Sequence, residues 1–150
     1  MPVTLQSLVI LFVAIAFGWR IGVTATFIYL IAGGLGLPVF AGYKGGWQAF
    51  GSIYAGFFFG FIAASLISGY LTELGAFRKT IPSILNWFIG HFIIILFGAI
   101  WMIRLGLPDW QANIANILPG AIIKSVIGAL MIDLIKRFMT RGARKRAFVD

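Results

Sequence analysis

The sequence predicts an all-α integral membrane protein with five transmembrane helices, and three observations carry that prediction. First, 61% of the 150 residues are hydrophobic and only 11% are charged, against about 25% charged in an ordinary globular domain. That leaves too little polar surface to cover a soluble domain, and a mean hydropathy of +1.00 agrees. Second, charged residues divide the chain into apolar runs close to the ~20 residues that cross a ~30 Å hydrocarbon core. Third, the basic residues are placed as the positive-inside rule demands of such a chain.

The runs can be taken in order. Met1 to Trp19 is uncharged and ends at Arg20; Ile21 to Tyr43 ends at Lys44; Gly45 to Thr72 ends at Glu73; Thr80 to Ile103 ends at Arg104. The last run, from about Ile114 to Ile135, is interrupted by Lys124 and Asp133. The expected spans are about 3–18, 21–37, 48–70, 82–104 and 117–138. Residues 1–138 then form a single transmembrane domain, and 139–150 form a basic tail. Pro119 and Gly120 read as the start of the fifth helix, because proline is tolerated in a first turn.

The net charge is +8, and six of the twelve basic residues fall in the last fifteen positions: Lys136, Arg137, Arg141, Arg144, Lys145 and Arg146. A basic tail directly after an apolar stretch marks a cytoplasmic flank facing anionic lipid. No aromatics interleave with it before Phe148, which argues against a nucleic-acid arm. A cytoplasmic C-terminus puts Arg20, Arg78, Lys79 and the tail inside, and only Lys44 and Arg104 outside. The expected location is the cell inner (plasma) membrane, multi-pass. Five spans then leave the N-terminus outside with no signal peptide ahead of it. The simplest expectation is a missing N-terminal span.

With no cysteine, disulfides, thiolate catalysis and Cys metal sites are excluded. Walker, HExxH and GxSxG motifs are absent as well, and four acids give no carboxylate pair within the membrane. The reading is of a protein that is not an enzyme, needs no cofactor and does not hydrolyse ATP itself.

Nine of the nineteen glycines lie between Gly33 and Gly60. Gly56 with Gly60, and Gly18 with Gly22 and Thr26, are small-residue rows that let helix backbones approach. Leu37–Trp47 and Leu105–Asn116 carry the proline and glycine of outer turns. Trp47, Trp110 and Tyr43 suit a membrane interface.

Two residues stand out inside the apolar runs. Lys124 would lie about five residues into the fifth helix, ~7–8 Å deep at 1.5 Å per residue. A cation there costs at least a few kcal/mol. Either it snorkels to the outer interface, or it faces a cavity and pairs with a ligand carboxylate. No acid sits at helical spacing beside it. His91, near the middle of the fourth span, either hydrogen-bonds a neighbouring helix or takes a ligand or proton role. One histidine without nearby Cys, Asp or Glu makes no metal site. Asn86, one turn earlier, reads as structural. Tyr54 and Ser52 open the third span, where they could line a pocket below the second outer segment.

The string Tyr29-Leu-Ile-Ala-Gly-Gly-Leu-Gly-Leu-Pro-Val-Phe-Ala-Gly42 resembles the signature of the BioY family, the biotin-specific S components of energy-coupling factor (ECF) vitamin transporters. Pro2-Val-Thr-Leu-Gln6 resembles the family's Pro-Val-x-x-Thr-Leu-Gln start of its second span. Gly90 to Trp101 resembles its Gly-Asn-…-Gly-x-x-Trp pattern, and Leu118-Pro-Gly-Ala-Ile-Ile-Lys124 resembles its Pro-Gly-Asp-x-x-Lys. The resemblance runs to about residue 135. It implies a six-helix S-component fold, here lacking helix 1, with a substrate pocket near the outer face.

The chain departs from the pattern at three places. Ala121 stands where the family has Asp, His91 where it has Asn, and Ile53-Tyr-Ala-Gly-Phe57 where it has Pro-Thr-Gly-Gly-Tyr. Family Asp and Lys contact biotin, so Lys124 alone carries over as the carboxylate anchor. The resemblance implies a biotin-binding S component in which Lys124 holds the ligand carboxylate; the aromatic Phe40, Tyr43 and Tyr54 are expected to pack on the ligand's apolar body, and His91 and Gln6 complete the expected ligand-binding set. Its implied partners are biotin or a related small carboxylated vitamin, an ECF transmembrane coupling subunit, ATPase subunits and the lipid bilayer. The alternatives are an S component for a different carboxylated vitamin and a non-transporting assembly subunit of a membrane complex.

Overall fold

Glycine and proline, more than charge, decide where the helices stop. The computed structural model describes residues 4–76 and 80–146. Five α-helices follow one another: α1 Gln6–Phe17, α2 Trp19–Gly34, α3 Ala55–Leu71, α4 Thr80–Arg104 and α5 Trp110–Arg146. Gly18, at φ 84°, breaks α1 from α2 within a single residue, and Gly36, at φ 105°, turns the chain beyond α2. Both angles lie in the left-handed region where a Cβ is penalised. Three sequence expectations lie outside the described residues: the start of the first span with Pro2 and Val3, the charged residues at 78–79, and the last four residues of the tail, 147–150.

Three helical stretches are long and apolar enough to cross a membrane: Ala55–Gly75, Thr80–Arg104 and Trp110–Phe138. The first two helices are shorter, with 12 and 16 residues, or about 18 and 24 Å at 1.5 Å per residue. The third helix also begins later than residue 48. Trp47–Gly51 forms a 3₁₀ turn first, in a stretch made poor in helix formers by Gly45, Gly46 and Gly51.

The fifth helix corrects the sequence reading most. The segment 105–116 was expected to be a turn and Pro119 a helix start. Only 105–109 is non-helical, and Pro119 lies inside α5. Proline in a helix interior removes one hydrogen bond and crowds the preceding turn. Packing outweighs that here: Trp110, Ile114 and Ile117, all before the proline, pack against the buried core. Lys124 is therefore mid-helix and not about five residues from a helix start.

α3 is the centre of the bundle and touches α1, α2 and α4, while α5 packs on α4. Glycines set the α3–α4 distance. A Cβ on Gly56 would run into Trp101, and one on Gly60 into the backbone of Ile94. Gly22 plays the same part against Ala14. The small-residue rows are thus intramolecular seams. Buried hydroxyls and an amide tie the helices further. Thr26 Oγ1 and Ser65 Oγ are 2.8 Å apart, and Asn86 Nδ2 donates to the Ser68 carbonyl at 2.9 Å and to Thr72 Oγ1 at 3.1 Å. Asn86 joins α4 to the end of α3, the structural role its sequence position indicates.

Candidate functional site

The chain from Leu35 to Tyr54 folds over one end of the bundle, and local chemistry holds it there. Phe40 drops its ring onto Gly33, a position where any Cβ would collide with it. The Val39 carbonyl accepts from Gln6 Nε2 at 2.9 Å and from the Tyr29 hydroxyl at 3.3 Å. Phe40 N donates to the Lys44 carbonyl at 2.9 Å, and Gly46 N donates to the Gly33 carbonyl at 2.7 Å. Below this cover the helices part around a cavity of about 350 Å³. That volume falls within the ~300–1,000 Å³ range of small-molecule pockets.

One wall is aromatic. Phe40 stacks on Phe58 with centroids 4.6 Å apart, Phe58 meets Phe61 at 6.2 Å, and Phe57 lines the same space. The polar lining comes from the start of the described chain, α4 and α5: Thr4, Gln6, Ser7, His91 and Lys124, interspersed with Ile94, Ile95, Ile117 and Ala121. Lys44, Gln48, Ser52 and Tyr54 join it beside the covering segment. Among the described residues two lysines and no carboxylate line the cavity, so its field favours an anion.

Lys124 is 8% exposed. Its Nζ donates to Ser7 Oγ at 2.8 Å and to the Thr4 carbonyl at 3.1 Å. Both acceptors are neutral. An ammonium has three donors, which leaves one N–H for the cavity. Lys124 does not snorkel: it is pinned to the start of α1 by contacts 117 and 120 residues away in sequence. The acid on its own helix, Asp133, is held elsewhere, 2.9 Å from the Arg137 guanidinium.

His91 is 4% exposed. Its Nδ1 lies 3.2 Å from the Trp87 carbonyl and 2.9 Å from Ser125 Oγ on α5. Its Nε2 is buried and has no partner among the described residues.

Five of the six residues expected at a ligand line this one cavity: Lys124, His91, Phe40, Tyr54 and Gln6. Gln6 does so with its amide already committed to Val39 and Thr4. Tyr43 does not join them. It is 90% exposed at φ 56° and turns outward, where it lines a second groove between α1, α2 and the covering segment. Sequence reasoning did not select Lys44, Gln48, Ser7, Phe57, Phe58 or Phe61. The Phe57-Phe58-x-x-Phe61 spacing is helical and was the available signal.

Known proteins resemble this arrangement. The BioY family model matches residues 1–141. A "Biotin transporter BioY" of Rhizobium etli is 32% identical over 140 residues, which span 87% of this chain and 75% of the relative. "Biotin transporter BioY2" of Lactococcus lactis is 28% identical over 144 residues, spanning 94% of this chain and 77% of the relative. A crystal structure of the S-component for biotin from an ECF-type ABC transporter superposes with a TM-score of 0.73 at 23% identity, covering 91% of this chain and 76% of that one. That likeness establishes the helical fold. Together with the long apolar helices, the relatives make this a multi-pass membrane protein.

Proposed function

The chain belongs to the BioY family, and from that premise we propose that it is the substrate-binding S component of an ECF-type transporter, taking biotin into the cavity beside Lys124. The supporting observation is Lys124 itself. A buried ammonium that donates only to neutral acceptors, and that keeps one N–H at a cavity wall, is poised for an anion. A charge inside a membrane is costly, and a ligand carboxylate offsets that cost by pairing with it.

Phe40, Tyr54 and the Phe57, Phe58 and Phe61 rings supply an apolar surface for the body of the ligand. Gln6 acts at one remove, by holding the covering segment through Val39. Energy for transport comes from a coupling subunit and ATPase subunits, because the chain carries no phosphate-cradling loop. The C-terminus faces the cytoplasm, as the count of basic residues requires, and the cavity then opens toward the outer face.

The test is equilibrium binding of biotin to the purified protein in detergent or nanodiscs. Saturable binding that competes with excess unlabelled biotin supports the reading. No detectable binding, or biotin affinity unchanged in Lys124→Ala, overturns the assignment of this cavity.

A further inference from the structure

His91 is the chain's single histidine, and its Nδ1 sits between two partners. The Trp87 oxygen 3.2 Å from Nδ1 is a backbone carbonyl, which can only accept. Ser125 Oγ lies 2.9 Å from Nδ1 and 3.4 Å from the same carbonyl. A proton on Nδ1 lets Ser125 accept from the ring and donate to the carbonyl, whereas a bare Nδ1 would accept from the Ser125 hydroxyl; the first arrangement engages all three groups. In the neutral imidazole that leaves Nε2 as a bare lone pair. Among the described residues no group donates to it, although the ring is almost wholly buried and lines the cavity.

An unpartnered buried acceptor is costly, and an incoming donor would recover that cost. Of the acceptors near it on the same lining, Ser7 Oγ and the Thr4 carbonyl are taken by Lys124, and Gln6 Oε1 by Thr4. Ala121, one helical turn before Ser125 on α5, contributes only a methyl group. Lys124 has donors and no acceptor, and it is drawn toward α1 by Ser7 and Thr4. The cavity therefore presents two different demands: a donor at Lys124, met by an anion, and an acceptor at His91, met by an N–H.

We propose that His91, with its proton on Nδ1 between Ser125 and the Trp87 carbonyl and its Nε2 bare, reads an N–H donor on the head group of the bound ligand. The ligand class is a carboxylate carrying a cyclic urea or lactam, in which ring N–H groups lie far from the acid. This rests on the biotin-binding reading above and deepens it, since it makes His91 the residue that separates biotin from carboxylates of similar shape that lack a ring N–H. Ser125 is then a positioning residue acting through His91.

Because there is one histidine, ¹⁵N-histidine labelling gives one imidazole spectrum for the whole protein. The proposal expects a protonated Nδ1 and a bare Nε2 before ligand. On saturation with biotin the Nε2 resonance should move toward lower frequency, as it does when a bare ring nitrogen accepts a hydrogen bond. Biotin affinity should fall roughly ten- to hundredfold in His91→Leu and should be largely retained in His91→Asn, which still offers an acceptor. A biotin analogue methylated at both ureido nitrogens should bind the wild type and His91→Leu equally weakly. Biotin that binds with the Nε2 resonance unmoved overturns the proposal, and the wild-type spectrum decides this even where the Leu variant does not fold. A wild-type protein that binds no biotin removes the transporter reading, and the proposal with it.

Discussion

The two walls of the cavity are built by different means. The aromatic wall is assembled from neighbours in sequence and from one loop: Phe57, Phe58 and Phe61 come from consecutive turns of α3, and Phe40 is laid onto them from the covering segment. The polar wall is assembled from residues far apart. Lys124 reaches Ser7 across 117 positions, and Ser125 reaches His91 across 34. The aromatic wall offers area without direction, since dispersion and area burial are indifferent to orientation. The polar wall offers few contacts, each with fixed geometry and a fixed hydrogen-bond sense. A cavity of this kind admits many apolar bodies of the right size, and its selectivity rests on two or three polar atoms.

The largest effect should come from the polar wall. Lys124→Ala should weaken biotin binding by about thirtyfold or more, because truncating one partner of a buried charge pair costs about 2–5 kcal/mol or more. Titration calorimetry on the purified protein measures it. Lys124→Arg should not restore affinity, since a planar fork does not reproduce the three-way donation to Ser7, Thr4 and ligand. An Arg variant that binds like the wild type would mean that charge alone suffices, and the distinction between the walls would collapse.

The next effect breaks the aromatic wall without touching the cavity. Gly33 is not a lining residue, yet a Cβ there collides with the Phe40 ring. Gly33→Ala should displace that ring and the covering segment with it. The expected cost is about 1–3 kcal/mol of overpacking, read as a lower thermal midpoint, together with roughly tenfold weaker biotin binding. Unchanged affinity would show that Phe40 contributes nothing to the ligand's apolar surface.

What the sequence made legible follows the same division. Uncharged runs, the basic tail and the intramembrane Lys124 and His91 were visible because a membrane penalises charge one residue at a time. The hydroxyls that orient them were not. Ser7 and Ser125 are ordinary small residues in a helix, and only the packing of α1 and α4 against α5 gives them partners. Pro119 misled because local punctuation was read without Ile114 and Ile117, whose burial carries α5 through it. The Phe57, Phe58 and Phe61 stripe was readable as a periodicity but not as a pocket wall, since aromatic residues at helical spacing fill cores as readily as cavities. Tyr43 was grouped with Phe40 on aromatic character alone. The turn at Gly42, with φ 74°, and the bridge between Phe40 and Lys44 send the two rings to opposite sides.

A smaller effect lies at the cavity margin. Lys44 lines the cavity but is exposed, so solvent screens its charge. Lys44→Ala should reduce biotin affinity by no more than a few fold at low salt, mostly through the association rate. The difference should vanish near 1 M salt, where the screening length is about 3 Å. Stopped-flow binding at two ionic strengths separates this from the Lys124 effect, which should persist because a buried pair is screened much less. A Lys44 effect insensitive to salt would place this residue on the polar wall proper.

The smallest effect should be at Tyr43. Its ring is 90% exposed and lines no part of the main cavity. Its role, if the membrane interface lies at this level, is to anchor the turn there with a ring that tolerates both phases. Tyr43→Ala should leave biotin affinity within about twofold, the range of a surface change worth no more than about 0.5 kcal/mol. It should also leave the thermal midpoint in detergent nearly unchanged. Tyr43 lies only three residues from Phe40, so the pair is a direct comparison between an aromatic side chain that closes the cavity and one that the same turn directs away. A loss at Tyr43 comparable to the loss at Gly33→Ala would mean that the covering segment binds ligand as a unit, and that the orientation of individual rings within it does not decide which of them matter.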